Sequence, residues 1–168
     1  MLHKISQLKK EASAKKASGF TIIEVMIVLA IAGFIMGIVF VAIPQLQRNS
    51  RNSAREADAS LLGASMADCL SNKNGVIASC DSWAEVTPFA DASRLKQLTG
   101  TPLLVPSGAA VGAAYTIPTG VTTSVAQITT AAKCNASTDG AVGASTREYA
   151  VLYQVETTSG TTYRCIGS

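Results

Sequence analysis

Residues 25–43 (VMIVLAIAGFIMGIVFVAI) run for 19 positions without a charge. As a helix rising 1.5 Å per residue the run reaches about 28 Å, close to the roughly 30 Å hydrocarbon thickness of a bilayer. A secretory signal is the rival reading, but its apolar region is about 7–15 residues long and ends in an A-x-A-like site. Here the only early match, Ala30-Ile31-Ala32, sits inside the run with more than a turn of apolar residues after it, so no cut is expected there. The run reads as a membrane-spanning helix, and the rest of the chain has to be arranged around it.

Charge is distributed unevenly about this helix. Lys4, Lys9, Lys10, Lys15 and Lys16 against Glu11 give the first 19 residues about +4 of the net +3, leaving roughly −1 for everything after Gly19. The basic balance therefore belongs to a leader and implies no nucleic-acid site. Five lysines before the helix outweigh Arg48, Arg51 and Arg55 after it, which are partly offset by Glu56 and Asp58, so the amino end is expected in the cytoplasm and the rest outside. Four cysteines, Cys69, Cys80, Cys134 and Cys165, lie in a Thr/Ser/Gly-rich region with no C-x-x-C spacing, the pattern of a stapled exported domain. The sole histidine is His3 in the leader, so the Ser-His-Asp, Cys-His and His-metal constellations are all missing a member after Gly19. Asp and Glu are sparse and scattered, so no enzyme, cofactor or metal site is expected.

Glu24 stands just inside the helix, directly after Lys15-Lys16-Ala17-Ser18-Gly19-Phe20-Thr21-Ile22-Ile23. A carboxylate at the centre of a membrane helix costs about 2.5–3.5 kcal/mol, and less near the interface where this one lies. Two readings are open. In one, the first-turn dipole and nearby headgroup water compensate, the dipole by about 0.3–1 kcal/mol. In the other, cleavage after Gly19 frees an amine on Phe20, and Glu24 pairs with that amine on a neighbouring copy.

Lys16-Ala17-Ser18-Gly19-Phe20-Thr21-Ile22-Ile23-Glu24-Val25-Met26-Ile27-Val28-Leu29-Ala30-Ile31 resembles the signature of the type IV pilin and pseudopilin superfamily over leader, junction and helix, roughly the first third of the chain. The resemblance implies a prepilin peptidase that cuts between Gly19 and Phe20 and methylates the new amine of Phe20. It implies further that Glu24 neutralises the Phe20 amine of a neighbour during assembly, which favours the second reading. Gly33 and Gly37, four apart, share a helix face that suits close approach of other helices. Pro44 cannot donate to the carbonyl of Phe40 and is expected to kink or interrupt the helix. In the resembling family a helix-breaking proline lies near this point, and here it falls about one turn later.

The expected fold class is α+β: a long N-terminal helix packed on a small antiparallel sheet. Residues 1–19 form the leader, 20–44 the transmembrane and filament-core helix, 45–72 its amphipathic half, and 73–168 the globular head. In the amphipathic half Leu46, Ser50, Ala54, Ala57, Leu61 and Ala64 trace a thin apolar stripe, with Leu62, Met66 and Leu70 widening it. Arg48, Arg51 and Arg55 lie on other faces and are expected to be solvated, with neighbouring subunits or lipid headgroups as the alternative partners. Residues 71–75 (SNKNG) stop the helix. A connecting region to residue 100 carries a short helical piece around 93–98, with Trp83 and Phe89 tucked onto the core. Strands are expected at 103–105, 114–117, 121–130, 149–156 and 161–166, the last two joined through Thr158-Ser159-Gly160, and 133–146 reads as a long surface loop. Sequence proximity favours pairing Cys69 with Cys80 and Cys134 with Cys165, the second resembling the carboxy-terminal disulfide loop of many pilins.

The expected function is that of a structural subunit, resting in the cytoplasmic membrane before it polymerises into a surface filament for adhesion, twitching motility or DNA uptake. Its partners would be the peptidase, identical and related subunits, membrane lipid, and an inner-membrane assembly platform with a motor ATPase. A pseudopilin of a type II secretion or competence system shares leader and helix and is the alternative. The absence of an acidic cluster suited to calcium argues against the major secretion pseudopilin, whose family carries such a site. A membrane-anchored exported binding protein is the remaining alternative.

Overall fold

The computed structural model describes residues 19–106, 110–117, 119–135, 137, 139–145 and 147–167. The leader up to Ser18 lies outside the described residues. The chain divides into two units, one ending at Ile43 and one beginning at Pro44.

In the first unit the helix α1 (Ile22–Asn72) begins, and its side chains through Ile43 are all exposed. It is long and apolar enough to cross a membrane. Helical structure continues through Pro44, so of the two outcomes expected of that proline an interruption does not occur. The missing amide still leaves the carbonyl of Phe40 without its helical donor.

The second unit is built on a four-stranded sheet in the order β1–β2–β5–β6, formed by Leu103–Pro106, Gln127–Thr130, Tyr149–Thr157 and Gly160–Gly167. The pairs β2–β5 and β5–β6 are antiparallel, whereas β1 lies parallel to β2. The sheet is therefore mixed at one edge. β5 turns into β6 through Thr158-Ser159, with Thr157 facing Gly160, a two-residue hairpin whose Gly160 has φ 143°.

Strand alternation sends β5 into two cores. Val151, Tyr153 and Val155 pack with Ala59, Leu62, Met66 and Leu70 of α1, together with Ile128 of β2 and Leu98. Ala150 and Leu152 point to the other face, onto Ala132 and Ala141. Those two alanines belong to a ribbon, β3 (Ala132–Cys134) with β4 (Ala141–Gly143), that covers this second face. The long surface loop expected at 133–146 is thus a two-stranded ribbon with its turn: strand at 132–134 and again at 141–143, and non-strand among the other described residues. Its Ala and Gly side chains are small because the ribbon lies close against the sheet, a feature that composition alone reads as loop. The strand expected at 114–117 is reduced to isolated bridges of Val111 and Ala114 to the same ribbon, and that expected at 121–130 is ladder only from Gln127 on.

The helix ends as its turn residues suggest. Asn74 (φ 54°) and Gly75 (φ 76°) adopt left-handed backbone, and the Gly75 amide donates to the Leu70 carbonyl at 2.7 Å, closing the helix in the manner that favours glycine. Disulfides join Cys69 to Cys80 and Cys134 to Cys165. The first binds the end of α1 to a 3₁₀ turn at Ile77–Ser79; the second binds the ribbon to β6. Between residues 80 and 100 the chain makes a one-turn helix α2 (Trp83–Val86) and 3₁₀ turns at Thr87–Phe89 and Ala92–Arg94. The helical piece expected around 93–98 is shorter than that and lies slightly earlier. Trp83 and Phe89 are half-buried against the main core, as expected.

The buried face of α1 matches the expected stripe only in part: Leu62, Met66 and Leu70 are buried. Ala57 and Ala64 are exposed, and the buried positions are Arg55, Asp58, Ala59, Leu62, Gly63, Ser65, Met66, Cys69 and Leu70. Helical spacing is obeyed, but two charged residues lie on the inner face. Asp58 is only 1 % exposed, and its Oδ2 accepts from the backbone amides of Lys96, Gln97 and Leu98 at 2.9, 2.6 and 2.9 Å. Three donors converging on one carboxylate oxygen compensate its lost hydration and moor residues 96–98 to the helix.

Candidate functional site

At the amino end, Gly19 and Phe20 precede the helix in non-helical conformation, and both are exposed. A peptidase acting on the bond between them meets no packed structure within the described residues. Thr21 stands immediately before α1, and its hydroxyl accepts from the Glu24 amide at 3.3 Å. Glu24 reaches back in turn: its Oε2 accepts from the Thr21 amide and the Thr21 hydroxyl, both at 2.8 Å. This reciprocal pair is a capping box, which satisfies orphan donors at the helix start. The T-x-x-E spacing just ahead of an apolar run is a sequence signal for it, one that consideration of Glu24 as a lone charge overlooks.

Two consequences follow for Glu24. The box holds its carboxylate beside the first turn, four residues from Phe20. It also employs only Oε2, and Oε1 makes no hydrogen bond among the described residues. Against the described residues, one oxygen thus remains to receive a cation. Further along, a Cβ added at Gly33 or Gly37 would meet nothing within 4 Å, so both glycines present open backbone to any helix that approaches.

In the second unit, Arg51 and Arg55 do not form the solvated basic face expected of them. Arg51 is bidentate to Glu156 near the end of β5, Nε to Oε1 at 3.1 Å and Nη2 to Oε2 at 2.5 Å. Arg55 is 4 % exposed. It donates to Glu156 Oε1 at 2.6 Å, to the Thr123 carbonyl at 2.9 Å and to Asn52 Oδ1 at 3.0 Å. Asn52 completes the set, donating to the Glu156 carbonyl and accepting from its amide, both at 2.8 Å. The cluster fastens the start of the amphipathic half of α1 to the tip of the β5–β6 hairpin. Burial of Arg55 is tolerated because its donors are engaged. Arg48 is half-buried and takes part in no ion pair among the described residues.

Hydrogen bonds from Arg51 and then Arg55 pull the Glu156 carboxyl down to about 2. A carboxylate whose folded pKa lies below its unfolded value of about 4.3 adds stability that is complete above that value and is lost as pH falls towards the folded pKa. The cluster should therefore weaken between about pH 4.5 and pH 2. In denaturant titrations over this range, wild type should lose stability more steeply than Glu156→Gln. Parallel profiles would show that the ion pairs do not contribute.

No group of three or more His, Cys, Asp or Glu placed to hold a metal ion occurs among the described residues. The chain's amino-terminal sequence matches the prokaryotic N-terminal methylation motif over residues 14–40, which spans the junction, Glu24 and both helix glycines. No curated protein and no solved structure matches the chain. The motif implies processing by a prepilin peptidase and polymerisation with related subunits, and the long apolar helix fits a membrane-anchored protein.

Proposed function

We propose that this chain, which carries the class III signal of a type IV pilin-like prepilin, is a structural subunit of a type IV pilus and does no chemistry of its own. It rests in the cytoplasmic membrane with its amino end inside, is cut after Gly19, is methylated on Phe20, and joins a surface filament with apolar helices inside and globular units outside. Adhesion, twitching motility or DNA uptake would then be work done by the filament with its assembly platform and motor ATPase. Leaving lipid for the filament exchanges one apolar environment for another, so helix–helix packing and the motor must drive it.

The observation that carries this reading is the methylation motif set on an exposed Gly19–Phe20 junction, with one Glu24 oxygen making no hydrogen bond among the described residues, four residues later. Filaments sheared from the native cell provide the test, by mass spectrometry of the subunit amino terminus. The expected species begins with N-methylated Phe20 and lacks residues 1–19. A mature chain beginning elsewhere, or one found only in the membrane with its leader attached, would overturn the reading.

A further inference from the structure

Two grooves flank the amphipathic part of α1, and their charges are opposite. At 3.6 residues per turn, Asn52, Ser53 and Glu56 project roughly a third of a circle to one side of the buried stripe, and Ala54, Ala57 and Leu61 project a similar angle to the other. On the first side α1 and the sheet enclose a groove of about 620 Å³, whose far wall includes Tyr153, Arg164 and Asp139. On the second side Ser93, Arg94 and Lys96 of the connecting loop face the helix across a groove of about 650 Å³.

In the first groove Arg164 is taken by Asp139, Nη1 to Oδ2 at 3.1 Å. Glu56 is exposed and has no ion pair among the described residues, so this side carries one unmatched negative charge. Its field reaches the groove floor: burial first, and then Glu56, push the Tyr153 phenol up to about 12. In the second groove Arg94 and Lys96 are exposed and likewise without an ion pair. Asp58, the carboxylate beside them, is engaged by three backbone amides, and Asp91 on the same loop turns onto the Ser93 amide and hydroxyl. Among the residues that line this groove, two cations against the single carboxylate of Asp58 leave a net positive charge.

We propose that these grooves mate between copies of this chain, the Glu56 side of one subunit receiving the Arg94 and Lys96 side of the next. Complementary patches at different places on one surface make a heterologous contact, which propagates from copy to copy and builds an open helical array when the rotation between copies does not close into a ring. The contact names the partner of the globular unit within the filament and rests on the filament reading above. Opposed charges across it select register and exclude like-charged arrangements.

The test is charge exchange in the full-length chain in its native cell. Glu56→Lys alone, and Arg94→Glu with Lys96→Glu, should each reduce sheared filament by about ten-fold or more, since each places like charges in apposition. Combining all three substitutions should restore filament to within about two-fold of wild type, because the opposite signs are re-established. Normal filament yield from either partial variant overturns the contact, as does a combined variant that stays as low as the partial ones. If a reversal variant fails to accumulate in the membrane, Glu56→Gln serves instead: its filaments should come apart at lower salt than wild type, and unchanged salt sensitivity overturns the contact. Wild-type filaments that do not contain this chain overturn the filament reading and this contact with it, whereas wild-type filaments with unaffected variants overturn the contact alone.

Discussion

Replacing Asp58 by alanine is expected to cost the globular unit about 3–5 kcal/mol, a large part of the roughly 5–15 kcal/mol by which such units are stable. The carboxylate oxygen receives three backbone amides, and hydrogen bonds to a charged acceptor contribute about 1.5–3 kcal/mol each. They are not additive, and water will reach Lys96 and Gln97 more readily than the fully buried Leu98. Leu98 is also a member of the main core, so an unmoored loop loosens apolar packing as well. Asparagine keeps an oxygen of the right shape without the charge and should cost less, about 1–3 kcal/mol. Guanidinium unfolding followed by fluorescence of Trp83, the single tryptophan, measures both in the full chain in detergent. A loss below about 1 kcal/mol for alanine would mean that the loop finds its own hydrogen bonds and that Asp58 does not hold it.

Asp58 also shows where a sequence stops informing. Its three donors are 38 to 40 residues away and are main-chain groups, which leave no side-chain signature. The same is true of Glu156, whose arginine partners lie 101 and 105 residues earlier. Read locally, Arg51, Arg55 and Asp58 are charges on a helix and belong outside. Contacts distant in sequence turn Arg55 and Asp58 inward, Arg55 through Glu156 and Thr123 and Asp58 through the 96–98 loop, and the buried face keeps Leu62, Met66 and Leu70 while leaving Ala57 and Ala64 outside. The second sheet layer is hidden for a different reason. Alanine and glycine let the ribbon approach Ala150 and Leu152, yet the same residues signal loop wherever a larger β-former is absent.

What is legible is what local physics decides. β5 and β6 stand out because Val151, Tyr153 and Val155 alternate with the residues that face the ribbon, and because Ser159-Gly160 permits a tight turn. The end of α1 is legible from Asn74-Gly75, since few other pairs tolerate consecutive positive φ values. At the amino end every element of the candidate site falls within six residues, from Gly19 to Glu24. That compactness is why the junction and the carboxylate can be named without a structure, and it is also why the capping box, a four-residue pattern, was available to the same reading.

The box makes a clean experiment on Glu24 possible, with a large expected effect on assembly. Glutamine at position 24 can still reach back to the Thr21 amide, because either Glu or Gln completes a capping box. The helix start should survive while the charge is lost. If the carboxylate receives the Phe20 amine of a neighbour, Glu24→Gln should be processed normally yet yield at least about ten-fold less filament, since an amine brought into the apolar filament interior is left without a counter-charge. Thr21→Ala is the converse variant. It removes the hydroxyl that accepts from Glu24 and donates back to it, at about 0.5–2 kcal/mol of helix-start stability, but keeps the charge. Its filaments should fall by less than those of Glu24→Gln. Sheared-filament yield and the mass of the mature amino terminus, measured together, separate assembly from cleavage. Should Glu24→Gln assemble like wild type while Thr21→Ala does not, the carboxylate acts only in starting its own helix, and the amine must be neutralised by another group.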